Sequence, residues 1–305
     1  MINNPKDREK LYDDIREGCK VSFDGGICLS VDIKKDSYRE LTKLVTEYII
    51  KALKSYYDSE FEQDNFLVKY RDDILNLPNR TPNGAFYPKV ENIKEYNKVQ
   101  SLINDILVEN NLVNQFSSFD LSTIRIVDGR ESKMDSRLSA TTRLHSDAWA
   151  GHEGDAILTI GVLGDKTTSL EFNRIIGKVS QSFFETQHDY ASASKLFEGH
   201  EYIGNLEFGN MTIFDHACLH RTIKSEGGLR VSIDIGVSLK ASSGLLKNEK
   251  KGRNIKKIKI DDMLKVGKET LVEATETLEE CYNRFKDDKY DKVPVSYIHD
   301  TINIG

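Results

Sequence analysis

Cysteine is scarce in this chain, and the four present, Cys19, Cys28, Cys218 and Cys281, lie far apart with no CxxC pair. That spacing argues against a cysteine zinc site and against a disulfide framework. It reads as reduced thiols in a cytosolic protein, with Cys218 packed in the interior. Long apolar runs are missing too: none approaches the roughly 18 to 20 residues that a bilayer-spanning helix needs. The start, "MINNPKDREKLYDD", lacks the apolar core of a secretory signal, so a cytoplasmic location is the default expectation. There is no excess of positive charge, and a net charge of −6 argues against generic nucleic-acid binding. A local basic pocket for an anionic ligand stays compatible with that balance. Neither an internal repeat nor a low-complexity tract is visible, and tryptophan occurs once, at Trp149.

The 305 residues are 38% hydrophobic and 30% charged, which suits a globular protein of one large domain or two modest ones. "VSFDGGICLSVDI" reads as one or two short strands around a Gly-Gly turn. In "KDSYRELTKLVTEYIIKALKSYY", Leu41, Leu44, Val45, Tyr48, Ile49 and Leu53 recur at helical spacing. Residues 76–90 hold three of the five prolines and read as a loop, and "VENIKEYNKVQSLINDILVENN" reads as a second helix. From about residue 116 to 240 the texture changes to short β-like runs: "STIRIV", "AILTIGVL", "LEFNRII", "NLEF", "MTIF" and "LRVSIDIGVSL". Such runs point to an antiparallel sandwich or barrel. Segment 174–204 interrupts them and reads as a lid or substrate loop. The lysine-rich run 247–259 reads as a solvated connector. Leu271, Thr275, Leu278, Tyr282 and Phe285 then share one face of a terminal helix that packs on the core or joins a homodimer. The expected organisation is a helical and short-strand buttress (1–115), a β core (116–240), and a connector with its helix (241–305).

Chemistry concentrates in "RLHSDAW", residues 143–149. If this stretch is extended, alternation puts Arg143, His145, Asp147 and Trp149 on one face. An imidazole and a carboxylate there can share a divalent metal, although HxD alone is more often a polar turn. A third ligand is available at His220, with His216 the alternative. Downstream, Leu229, Val231, Ile233, Ile235, Val237 and Leu239 form one face of a strand, and Arg230, Ser232 and Asp234 lie on the other. If that face lines a barrel interior, Arg230 and Ser232 can bind a ligand carboxylate, the arginine through its bidentate fork. Two histidines and one carboxylate leave three coordination positions open, which suits non-heme Fe(II) better than zinc.

The pattern His145-x-Asp147, His220, Arg230-x-Ser232 resembles the Fe(II)- and 2-oxoglutarate-dependent oxygenases, over roughly residues 117–240. The ten-residue gap from His220 to Arg230 and the approach "GNMTIFDHACLH" belong to the same likeness. "LHSDAWAG" further resembles a group of these enzymes encoded in bacterial sugar- and antibiotic-biosynthesis clusters. The resemblance implies a double-stranded β-helix (jelly roll, cupin-like) core with flanking helices. It implies Fe(II) held by His145, Asp147 and His220, and 2-oxoglutarate held by Arg230 with Ser232. The family's reaction couples decarboxylation of 2-oxoglutarate to succinate and CO2, using O2, with oxidation of a positioned C–H bond, usually hydroxylation. The presence of Asp147 argues against the halogenating members. A small polar metabolite, such as a sugar or sugar-derived intermediate, is the expected substrate, with Arg143, Trp149, His152, Glu171 and Asn173 as candidate substrate contacts. His188, His200 and His299 read as incidental. The competing readings are a cupin-type metalloenzyme that does not use 2-oxoglutarate, and a barrel-shaped binding protein whose three ligand residues do not converge.

Overall fold

The alternation of residues 229–239 becomes an 11-residue strand in a computed structural model that describes residues 5–150, 156–226, 228–242, 257–286 and 302–304. In chain order the strands are β1 Val21–Asp24, β2 Cys28–Asp32, β3 Ala85–Phe86, β4 Phe116–Phe119, β5 Thr123–Asp128, β6 Ala156–Gly164 and β7 Ser169–Ile175. They continue as β8 His200–Asn205, β9 Asn210–Asp215, β10 Leu219–Ile223, β11 Leu229–Leu239, β12 Ile258–Lys259, β13 Val272–Ala274 and β14 Ile302–Ile304. The longer helices are α1 Lys35–Tyr57, α2 Ile93–Glu109 and α3 Leu278–Phe285.

A large antiparallel sheet runs β1-β2-β9-β6-β11. The far edge of β11 pairs with β5 over Leu229–Asp234 and with β4 over Val237–Leu239. A smaller sheet runs β10-β7-β8, and a bridge from His145 to His220 extends it beyond β10. From β5 to β11 the chain passes back and forth between the sheets. Strands β5, β6, β9 and β11 belong to the large one, and the His145 bridge, β7, β8 and β10 to the small one.

Period-two alternation gives the large sheet two different faces. Leu158, Ile160, Ile213, Ile233 and Ile235 join one apolar cluster with Leu41, Val45, Tyr48, Ile49 and Leu53 of α1 and with Val99 and Ile103 of α2. Burying each such side chain is worth roughly 1.5–3 kcal/mol, so these helices are held by packing rather than propensity. On the other face Ile157 and Phe214 meet Leu170 and Phe172 of the small sheet, with the Phe172 and Phe214 rings 5.0 Å apart. Gly164 faces Arg230 across the β6–β11 ladder with φ +110°, and a Cβ there would lie 2.0 Å from the Leu229 carbonyl oxygen. Any larger residue would push β6 off the start of β11.

Several sequence expectations need correcting. "NLEF" is not a strand: β8 ends at Asn205, and Phe208 makes only a bridge to Gly161. The real strand has largely exposed or half-buried side chains, so it carries no apolar alternation to read. The terminal helix begins at Leu278, and Leu271 is exposed while Val272–Ala274 is a strand. Thr277 stops it from starting earlier through a reciprocal capping box: its side chain accepts from the Glu280 N–H at 3.1 Å, and its own N–H donates to Glu280 Oε2 at 2.8 Å. The helix packs on its own chain, with Tyr282 against Tyr56 of α1 and Cys281 Sγ donating to the Pro78 carbonyl at 3.3 Å. Of the lysine-rich run only 257–259 are described residues, and Lys257 Nζ lies 3.6 Å from Asp120. Among the described residues no helix is long and apolar enough to cross a membrane.

Candidate metal centre and carboxylate pocket

His145, Asp147 and His220 converge, with one ligand atom from each lying within 4.8 Å of the others. His220 sits inside β10, opposite Phe172. His145 exchanges two backbone hydrogen bonds with it, at 2.9 and 2.8 Å. Asp147 opens a single 3-10 turn, Asp147–Ala150, and its Oδ2 lies 3.7 Å from His220 Nε2. Each imidazole is oriented by a backbone carbonyl. His145 Nδ1 bonds the Arg143 carbonyl at 2.8 Å, and His220 Nδ1 bonds the Cys218 carbonyl at 3.2 Å. A carbonyl only accepts, so Nδ1 carries a proton in both rings and Nε2 is the ring atom left to face a cation. Tyr190 stacks on His145 at 4.9 Å and 3°, fixing the ring plane.

Arg230 and Ser232 stand on the inner face of β11 and are both 0% exposed. Arg230 Nε and Nη1 and Ser232 Oγ have no hydrogen-bond partner. The nearest carboxylate on the strand is otherwise engaged: Asp234 accepts from Arg125 Nε at 2.6 Å and from Thr159 Oγ1 at 2.7 Å. Burial, reinforced by the Arg125 guanidinium and opposed by Asp234, brings Arg230 down to about 10, so it stays cationic at neutral pH. Buried polar groups are normally satisfied, and a buried guanidinium without an acceptor is costly. The arrangement fits an anionic, bidentate ligand such as a carboxylate. Arg230, His145, Asp147 and His220 all line one cavity of about 1000 Å³. Two imidazoles with one carboxylate fit a divalent metal that must also accept an anionic ligand.

Of the other candidates, Trp149 lines the same cavity, and Arg143, Glu171 and Asn173 are not among its lining residues. The 143–149 stretch is not extended: its pairing consists of one bridge at His145, after which the chain turns at Asp147. Alternation therefore does not carry Arg143 and Trp149 to the ligand face. Arg143 Nε donates to the Arg137 carbonyl at 3.2 Å. Trp149 is fully buried, its indole N–H donating to the Phe183 carbonyl at 2.8 Å and its ring packed among Phe183, Tyr190 and Phe197. Its edge nonetheless lines the same cavity as His145, Asp147 and His220. Glu171 and Asn173 are also misplaced by the sequence reading. Leu170 and Phe172 point inward, so these two point outward, Glu171 pairing with Arg221 at 2.9 Å and Asn173 with His200 at 3.1 Å. His152 and His299 lie outside the described residues. His188 reaches the cavity wall, although the sequence reading passed it over. The 174–204 segment is anchored rather than free: Phe183, Tyr190 and Ala193 are buried with Trp149 and Leu219.

Sequence reading also missed Arg125, Thr159 and Tyr190. Arg125 alternates with Ile124 and Ile126 in "STIRIV", so its place on the polar face was available as a signal. Tyr190 carries no local signal. The proline-rich loop supplies Pro78, Arg80, Thr81 and Asn83 to the cavity. Gly84 makes its close turn possible: φ is +83°, and a Cβ would sit 2.5 Å from the Ile126 carbonyl oxygen.

No family model matches the chain, and no curated protein matches it in sequence. Solved structures do resemble it. The non-heme alpha-ketoglutarate-dependent carbocyclase SnoK of nogalamycin biosynthesis aligns with TM-score 0.40 at 9% identity, covering 76% of this chain and 83% of that one. The alpha-ketoglutarate-dependent epimerase SnoN of the same biosynthesis gives 0.37 at 11%, covering 77% and 84%. A prolyl 4-hydroxylase from Phytophthora capsici gives 0.36 at 12%, covering 80% and 71%. At such identities and scores, the functional reading rests on this chain's own side chains.

Proposed function

We propose that this protein is an Fe(II)- and 2-oxoglutarate-dependent dioxygenase built on a double-stranded β-helix, oxidising a polar small molecule. The observation that carries the reading is the buried Arg230, whose Nε and Nη1 meet no acceptor, beside Ser232 and on the same cavity as a converged His-Asp-His set. The alternation of strands between two facing sheets supports the fold assignment.

Iron and 2-oxoglutarate, when bound, supply the oxidising chemistry, and the chain supplies position. His145, Asp147 and His220 hold the metal, the two rings locked in the tautomer that presents Nε2. Arg230 and Ser232 hold the distal carboxylate of 2-oxoglutarate, satisfying three buried polar atoms at once. Trp149, Phe183 and Tyr190 close the site from one side and keep water out. Arg80, Arg125, Asn83, Thr141 and Thr222 give the cavity polar walls, which favours a hydroxylated or charged substrate such as a sugar-derived metabolite.

The test is to give anaerobically purified protein Fe(II), 2-oxoglutarate and O2 and to measure succinate, together with 2-oxoglutarate binding. The wild type is expected to bind 2-oxoglutarate and release succinate, with His145→Ala and Arg230→Ala abolishing turnover. Absence of both binding and turnover in the wild type would overturn the proposal. A cupin-type metalloenzyme without 2-oxoglutarate gives the Arg230 pocket no ligand. A non-catalytic barrel gives the three converged ligands no reason to converge.

A further inference from the structure

Asp215 ends β9 and is 0% exposed, and Arg8, 207 residues earlier, is 1% exposed beside it. Arg8 Nε donates to Asp215 Oδ1 at 2.7 Å, and the Tyr12 hydroxyl donates to Oδ2 at 3.0 Å. The same carboxylate caps the turn that follows it, accepting the Ala217 N–H at 2.8 Å, while the Asp215 carbonyl accepts the Cys218 N–H at 2.8 Å. The Asp215 N–H is in turn held by the Ile27 carbonyl at 2.8 Å. The turn from Asp215 to Cys218 is thus fastened at its start by an N-terminal segment.

What the turn holds is the metal site. The His216 carbonyl accepts from Ser146 Oγ at 2.6 Å and from the Ala148 N–H at 3.1 Å, gripping the residues on either side of Asp147. The Cys218 carbonyl orients His220 through Nδ1 at 3.2 Å. His220 in turn pairs through its backbone with His145. One four-residue turn therefore bears on all three ligands, and its geometry hangs on the Asp215 carboxylate.

We propose that Arg8, Tyr12 and Asp215 form a positioning cluster that sets the metal affinity of the site, acting through the 215–218 turn on Asp147 and His220. This rests on the metal-centre reading above. Among the hydrogen bonds and ion pairs of the described residues none joins the cluster to Arg230 or Ser232, so its effect should fall on the metal and not on the carboxylate pocket. Partners one layer out from metal ligands commonly change metal affinity by about 10- to 100-fold, and the cluster is expected in that range.

The experiment titrates Co(II) alone into wild type, Asp215→Asn, Arg8→Lys and Tyr12→Phe, following visible absorption and heat, at a temperature where each is folded. 2-Oxoglutarate is then titrated at saturating Co(II). Asp215→Asn is expected to weaken Co(II) binding about 10- to 100-fold and to alter the absorption band of the bound ion. Arg8→Lys and Tyr12→Phe are expected to weaken it less. The affinity of the Co(II)-loaded protein for 2-oxoglutarate should stay close to wild type in all three. A lower melting temperature with unchanged Co(II) affinity and spectrum in the folded variants would overturn the proposal, leaving the cluster a stability element. If Asp215→Asn does not fold, unchanged Co(II) affinity in both Arg8→Lys and Tyr12→Phe overturns it equally. A wild type that binds no Co(II) overturns the metal-centre reading itself, and this inference with it.

Discussion

Arg8 and Arg230 are both buried to within 1% exposure, yet Arg8 Nε meets a carboxylate at 2.7 Å whereas Arg230 Nε and Nη1 meet no acceptor. The first lies behind the metal site, where a hydrogen-bonded carboxylate is itself held by a tyrosine and a backbone N–H. The second lies inside the cavity, next to a serine hydroxyl that is also without a partner. The same side chain, equally removed from water, is a structural fastener in one place and, on the proposed function, a receptor in the other. What separates them is whether the fold supplies the anion or leaves that to a ligand.

Removing each arginine should break the symmetry in opposite directions. Arg8→Met leaves Asp215 buried without its cation, and the expected loss is about 3–5 kcal/mol in urea unfolding. Arg230→Met removes a buried charge that has no acceptor, so the ligand-free protein is expected to lose nothing and to gain up to about 1–3 kcal/mol. The same variant should lose 2-oxoglutarate affinity by about 100-fold or more, and with it the rise in melting temperature that saturating 2-oxoglutarate gives the metal-loaded wild type. Equal destabilisation by the two substitutions would show that Arg230 is structural, and would undo the comparison.

The smallest expected effect concerns Asp120, on the same cavity. Burial pushes its carboxyl up to about 6, against the pull of Lys257. A carboxyl whose folded pKa lies above its unfolded value favours folding while protonated, and the protein loses stability as pH rises from about 4 through about 6. Asp120→Asn imitates the protonated form at every pH. The variant should match wild type near pH 3, where Asp120 is protonated in both states, and exceed it by about 1–3 kcal/mol near pH 8. Parallel stability profiles across that range would show that Lys257 fully compensates the charge.

Local pattern was legible where one face of an element is buried and the other is not. Helix α1 covers the residues its spacing marked, and β11 the residues its alternation marked. The ligand set was legible because HxD, a distant histidine and an arginine on a polar strand face are residue types with few other joint uses. The parity of β7 was not legible, since alternation says that Glu171 and Asn173 share a face but not which face looks inward. Leu170 and Phe172 decide that by packing against Ile157 and Phe214 of the other sheet. Nor was the extended reading of 143–149 secure, because a single bridge and a 3-10 turn replace the strand there.

The sequence by itself determined the alternating strand with its arginine, the two long helices, and the identity of the His-Asp-His set, because each follows from residue type and short-range period. Tertiary structure alone decided which strand faces look into the cavity, that Trp149 packs among Phe183, Tyr190 and Phe197, and that Arg8 reaches Asp215 across 207 residues while Arg230 Nε and Nη1 meet no acceptor among the described residues. The physical reason is that burial and charge pairing depend on which surfaces meet, and surfaces far apart in the chain meet only once the sheets have closed on each other.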